Sequence, residues 1–427
     1  MWLGLTGEGA LSTEEIGQKL DLSKEEVKEI RDHVMSHVAK SNKNLKEKAL
    51  EKFRKTQKAV LKPMVETGRP QANETGMENA FFRVTFNPDG SIDSLFDKRL
   101  QREWLTGKGN DLQTFEDRPN SWDAWDINDW FEQKPLGLLN LEQVTVVENG
   151  PIRATVRFDY KTHNGSVVSQ CVVMYQSIPR IDFRTVMDWH EQHVLLKVAF
   201  PVAVHSASAS YEIQYGTIER PTSRNTTWEQ SKFEVSGHRW TDLSDASGGV
   251  SILNDGKYGH DIHHNVMRMS LIRTPVHPDP QAPHPPFHFL DDPNVFTDQG
   301  EHEVNYAFYP HAGDWRNGTV QAGCVFNQPL RSITNGPILE NGLSVSDDAC
   351  LVETLKKAED GEGYILRVYE AHGGTRTVTI SLPFSITKIS CTNLMEVPEP
   401  IEHVEKTSEN SLTFSLKPYE IRTFKIK

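Results

Sequence analysis

The spacing of apolar residues changes character once along this chain, between about residue 63 and residue 77, and the change divides the sequence. Before it, apolar residues recur at helical spacing: Val27, Ile30, Val34 and Val38, then Leu45, Ala49 and Phe53. Ser12 with Glu15, and Ser23 with Glu26, each fit a capping box. The pattern predicts two or three short amphipathic helices ending before Pro63. After the change the period is two. "NAFFRVTFNPDGSIDSLFDKR" alternates on both sides of a Pro-Asp-Gly turn and predicts a hairpin. Residues 151–189 predict three more strands, joined at Asn164-Gly165 and at Ile178-Pro179-Arg180. Further strands are predicted at 194–204, 212–218, 249–253, 266–273 and 301–309. A run of strands with no helical period between them implies antiparallel sheets packed face to face. "GYILRVYEAHGGTRTVTISL" and "SLTFSLKPYEIRTFKIK" predict a second, smaller sandwich at the end.

The expected fold is therefore mainly β. A helical segment (1–62) precedes a large antiparallel β-sandwich domain (63–325) and a small C-terminal β-sandwich (326–427). The proline-rich stretch 275–293 cannot be a central strand, because its prolines remove ladder donors, and it is expected to be a long surface loop.

Composition narrows the function classes. Of 427 residues, 37% are hydrophobic and 25% charged, which suits a packed core and excludes global disorder. A net charge of -13 argues against broad attraction to nucleic acid or to an anionic membrane. Residues 11–34 superficially suggest a helix-turn-helix, and a regulator binding DNA or a partner protein through 11–62 is one reading. Glu14, Glu15, Glu25, Glu26 and Glu29 make DNA the weaker option. No run approaches the roughly 18 apolar residues of a membrane span, and the first residues lack the basic and apolar regions of a secretory signal. Cys171, Cys324, Cys350 and Cys391 are far apart and form no CxxC pair, so free thiols in a reducing, cytoplasmic compartment are expected. Without a signal, the sequons at Asn73, Asn164, Asn225 and Asn317 read as chance.

Four clusters bear candidate chemistry. Trp122, Asp123, Trp125 and Asp126 form "WDAWD": aromatic faces suit the C–H side of a sugar, and carboxylates accept its hydroxyls. The same residues also suit a core or domain interface, with the aspartates satisfying backbone amides. His260, Asp261, His263 and His264 invite a metal reading. On a strand, however, Asp261 and His263 share one face and His260 and His264 the other. Arg224, Trp228, His238, Arg239 and Trp240 read as packing against another domain. Glu370 lacks a partner carboxylate and reads as structural.

Several segments, in order, resemble the C-terminal region of family 38 α-mannosidases of the cytosolic and vacuolar kind. They are "ENAFFRVTFNPDGSIDSLFDKR" (78–99), "FEDRPNSWDAWDIN" (115–128), "IQYGTIERPTSRNTTWEQSKFEVSGHRWTDLS" (213–244), "LNDGKYGHDIHHNVMRMSLIRTP" (253–275), "GEHEVNYAFYPHAGDW" (300–315) and "LRVYEAHGGT" (366–375). The resemblance spans roughly 63–427. It implies a galactose mutarotase-like supersandwich and a smaller sandwich behind a β/α barrel that supplies zinc and an aspartate nucleophile for retaining hydrolysis of α-mannosides. It also implies that the WDAWD loop lies on the active-site side, and that Asp255, Lys257 and Tyr258 lie near the substrate.

The sequence departs from the family before residue 63. No βαβα pattern long enough for a barrel of ~250 residues is present, and the one His-x-Asp, His277-Pro278-Asp279, sits in the proline-rich loop. The expectation is a β portion with no catalytic residue and no metal ligand of its own, inactive alone. Its expected partners are α-mannosides and a catalytic barrel or an oligomer partner. A stand-alone carbohydrate-binding module is the alternative. A fragment, a split enzyme and a remnant all fit.

Overall fold

A computed structural model describes residues 69–120, 122–276, 295–330, 342–400 and 403–427. The expected helices of 1–62, the loop at 277–293 and His277-Pro278-Asp279 lie outside the described residues. The chain divides into two compact units. Of the first, 1–68 with 328–340, only 328–330 are described; the second, 69–327 with 341–427, holds the β structure.

That unit is mainly β, as the period-two pattern implies. A five-stranded meander runs in sequence order from Gln71–Asn73 to Arg102–Glu103. A nine-stranded antiparallel sheet is centred on Ile181–Trp189 and Gly300–His311. A second five-stranded sheet runs, side by side, from Val235–Ser236 through Gly259–His263, Val266–Arg273 and Val194–Pro201 to Asp111–Glu116. The main core lies between these sheets: Phe183 stacks on Tyr306 at 4.9 Å, and Phe200 meets Phe308 at 5.2 Å. Each such buried aromatic is worth about 1.5–3 kcal/mol by transfer from water.

The strand Val194–Pro201 positions everything that follows. Val194, Leu196, Val198 and Phe200 point into the main core. Leu195, Lys197 and Ala199 point the other way, and all three are also buried. A strand buried on both faces reads as a continuous apolar run rather than an alternation, and "VLLKVAFP" is such a run. Its outer face must therefore be covered, and the cover is the candidate site.

Two four-stranded sheets make the small sandwich around Leu366, Val368, Ile380, Phe414 and Phe424. The helix Thr319–Asn327, with Trp240 and Trp315, packs against Tyr369 and Ala371 of that sandwich. Arg239 grips Glu212 and donates to the Tyr369 hydroxyl at 3.2 Å. Arg239 and Trp240 thus do pack against the neighbouring sandwich. Glu370 is buried and accepts the amides of His372, Gly373 and Tyr419. No helix among the described residues is long and apolar enough to cross a membrane.

Candidate functional site on the outer sheet face

Two segments cover the outer face of the second five-stranded sheet: 115–135, which leaves its edge strand, and 223–235, which leads into the opposite edge. Phe115, Phe131, Leu195 and Phe233 form a small apolar cluster beneath them. Beside it lies a charge network. Lys197 is fully buried, bonded to Asp261 at 2.9 Å and to Glu234, with Phe131 presented 4.9 Å from its ammonium. Arg268 bonds Asp261 at 3.0 Å and lies 3.6 Å from Glu132, which also binds Arg224 at 2.9 Å. Burial alone would strip the charge from Lys197, but Asp261 and Glu234 outweigh it and hold its pKa above the ordinary lysine value. Asp261 mirrors this: burial opposes its charge, yet Lys197 and Arg268 hold its carboxyl below the usual range.

At the other end of the cover sits the WDAWD loop. Asp117 is buried, and Arg273 grips it with two bonds, at 2.7 and 3.1 Å. Burial pushes the Asp117 carboxyl up despite that arginine. The same guanidinium donates to the carbonyls of Asp123, at 3.0 Å, and Asp126. The Trp122 carbonyl accepts the amides of Trp125 and Asp126, closing a tight turn. Trp122 has φ +61°, a left-handed conformation that is unusual for an aromatic residue and survives only where its surroundings enforce it.

The motif's four residues divide by role. The Asp123 carboxylate turns inward, accepting the Val276 amide and lying 3.5 Å from His193 Nδ1. Trp122 and Trp125 turn outward, 49% and 70% exposed, in an edge-to-face pair 6.2 Å apart. Asp126 is exposed. The second expected cluster lies on the turn from the nine-stranded sheet into the outer one. Asn254 accepts the amides of Gly256 and Lys257, which fixes the Asn-Asp-Gly turn. Asp255 accepts from Asn305, Lys257 is half-buried, and Tyr258 is 50% exposed beside His238. Burial lowers the Lys257 pKa, opposed by Asp298 and Asp255. Residues 295–299 bring the two clusters into relation: Asp298 acts on Lys257, and Phe296 packs on His193, which adjoins Asp123.

The histidine cluster does not gather. His260 is buried on the inner face, and its Nε2 has no partner among the described residues. Asp261 serves two cations on the outer face, and His263 stacks on His264 at 4.2 Å. His264 lies past the strand end, with φ +53°. Among the described residues no three His, Cys, Asp or Glu side chains could hold a metal ion, so this donor set does not fit zinc. Burial, then the charge on Lys197, pushes the His260 pKa down to about 3. The expected NMR result is a His260 ring that stays neutral from pH 8 to 5. A midpoint near 6.5 would refute its sequestration. Because this pKa is depressed in a base, His260 costs stability only as pH falls below its unfolded value of about 6.5.

The partners that organise this site escape motif reading: Arg273, Asp117, Glu132, Glu234 and Arg268. Lys197 does carry a signal, as the lone charge in an apolar run.

Comparison with known proteins adds identity to this geometry. Residues 77–281 match the model of the glycosyl hydrolases family 38 C-terminal domain, and 349–424 match that of the family 38 C-terminal beta sandwich domain. The chain belongs to glycosyl hydrolase family 38, as a C-terminal region. It is 34% identical over 370 residues to alpha-mannosidase G of Dictyostelium discoideum, covering 82% of this chain and 32% of that protein. It is 34% identical over 357 residues to human alpha-mannosidase 2C1, covering 81% and 33%. This family 38 chain thus spans about a third of the length of the curated relatives it matches. An alpha-mannosidase structure from Enterococcus faecalis superposes with a TM-score of 0.66 at 17% identity, over 85% of this chain and 43% of that one, which speaks to fold alone. The first family match includes the WDAWD loop, Lys197, Asp261 and Arg273.

Proposed function

We propose that this chain is the β portion of an α-mannosidase and serves retaining hydrolysis of α-mannosides by presenting sugar contacts, not by breaking the bond. One observation carries the reading: in a family 38 chain, an arginine paired with a buried carboxylate holds a loop whose two tryptophans face outward, where a saccharide can stack on them. Trp122, Trp125 and Asp126 are the substrate contacts at this end, with Asp255, Lys257 and Tyr258 at the other. Asp123 acts through the backbone it braces.

Retaining hydrolysis needs two carboxyl groups about 5–5.5 Å apart and free to react. Asp117, Asp261, Glu212, Glu234 and Glu370 are instead engaged by cations or amides. On this reading the nucleophile and zinc of the family chemistry come from outside the described residues, on a catalytic barrel or a partner subunit. A reducing, cytoplasmic setting suits the four cysteines, all free.

Purified chain is expected to release no chromophore from an aryl α-mannoside and to carry no stoichiometric zinc. Zinc-dependent turnover that survives repurification would overturn the division of labour. The second reading, a stand-alone carbohydrate-binding module, draws on the same exposed indoles. It predicts a soluble monomer that binds mannose oligosaccharides, whereas a portion made to dock a catalytic partner self-associates.

A further inference from the structure

We propose that Trp228 is a second, distal sugar contact, so that the cover over the outer sheet face binds an extended oligosaccharide along its length. This inference rests on the reading of Trp122 and Trp125 as sugar contacts. Trp228 is 80% exposed, on the single-turn helix Thr227–Gln230. That turn is held by a complete capping box: Thr226 Oγ1 accepts the Glu229 amide, and the Glu229 carboxylate accepts the amides of Thr226 and Asn225. So short a helix has no stability of its own. Here it is fixed by its caps, and the indole it presents packs on nothing that would repay its exposure to water.

The two tryptophan-bearing segments form one cover. Arg224, just before the helix, binds Glu132 at 2.9 Å, and Glu132 belongs to the turn that closes the WDAWD segment. Phe233, just after the helix, packs with Phe115, Phe131 and Leu195, and Glu234 reaches Lys197. Displacing one segment therefore disturbs the other.

The anchors also set a length. Arg273 holds the Trp122 loop, and Arg268 lies 3.6 Å from Glu132, the residue that Arg224 binds just before the Trp228 turn. Arg268 and Arg273 lie five residues apart on the strand Val266–Arg273, which is roughly 17 Å. That span accommodates several sugar rings in a row. Asp126 and Asp129 are exposed on the same segment as Trp122 and Trp125 and offer acceptors for hydroxyls. Indole faces with carboxylate acceptors suit a polyhydroxylated chain.

The test is calorimetry on the full chain with methyl α-mannoside and with a linear α-mannopentaose. Trp228→Ala is expected to weaken the pentaose roughly tenfold, the loss of one stacking contact, and to leave the monosaccharide unchanged. Trp228→Tyr restores most of the pentaose affinity. Trp125→Ala weakens both ligands. Because Trp228 is exposed, its replacement leaves the melting temperature unchanged, so a binding loss is not unfolding. Equal pentaose affinity in Trp228→Ala and the parent chain, with Trp125→Ala impaired, overturns the distal contact alone. No effect from either variant, or no binding by the parent chain, overturns the sugar-contact reading beneath it as well.

Discussion

Replacing Asp261 with alanine is expected to cost about 3–5 kcal/mol of unfolding free energy, the penalty for stranding a buried charge. Asp261 is one of two carboxylates on a lysine whose side chain has no exposure, and it also neutralises Arg268. Without it, Lys197 keeps Glu234 as its carboxylate and Arg268 keeps the Gln113 side chain, at 3.1 Å, and Glu132, at 3.6 Å. The effect depends on pH with a definite sign. The folded-state pKa of Asp261 is depressed, so its contribution is fully present above the unfolded value of about 3.9 and is lost as pH falls through the lower folded value. Urea unfolding at pH 7 and pH 3 should therefore show a large gap between parent and variant at pH 7 and a smaller one at pH 3. Pairing Lys197→Met with Asp261→Leu removes both buried charges together and is expected to cost less than Asp261→Ala. A loss under about 1 kcal/mol at pH 7 would mean that the network is hydrated and that the cover does not seal it.

How much of this was legible beforehand differs from element to element. The sheets were, because half-buried strands must alternate and the turns between them carry Pro-Asp-Gly and Asn-Gly signals. The outer face was half legible: an unbroken apolar strand says that something covers it, and Lys197 within it says that the cover brings charge. The sequence could not say what the cover is, since Glu234 and Asp261 lie 37 and 64 residues from Lys197. Tryptophan shows the same limit. Trp104, Trp189 and Trp240 are fully buried while Trp122, Trp125 and Trp228 are not, and no local pattern separates the two groups. The two aspartates of WDAWD look equivalent in sequence. They part only because a Val276 amide, 153 residues on, meets one of them. Trp228 and Trp240 part in the same way: Trp240 lies under the small sandwich, and Trp228 stands exposed on a turn whose caps satisfy it locally.

Arg273→Ala should combine a large stability loss with a local spectroscopic change. The variant leaves the Asp117 carboxylate buried with no guanidinium, a cost of about 3–5 kcal/mol at neutral pH. It also frees the carbonyls of Asp123 and Asp126 that hold the loop, and Trp122 then has little to keep it at positive φ. The deficit shrinks with falling pH as that of Asp261→Ala does, although the pKa of Asp117 is shifted up and that of Asp261 down. The Asp117 pKa is already raised by burial and rises further without Arg273, so the folded variant takes up a proton that the unfolded chain does not hold. Its deficit is therefore largest at neutral pH and shrinks as pH falls toward 5. Arg273→Lys keeps the charge but not the fork that reaches a carboxylate and two carbonyls at once, so it recovers part of the stability and little of the loop order. The edge-to-face indoles at 6.2 Å supply the readout, since their near-UV circular dichroism depends on a fixed mutual orientation. Loss of that signal in the alanine and lysine variants, with only the lysine variant regaining stability, would separate holding the loop from holding the fold. An Arg273→Ala chain that unfolds at the parent midpoint with its near-UV spectrum intact would show that the tryptophans hold their places without it.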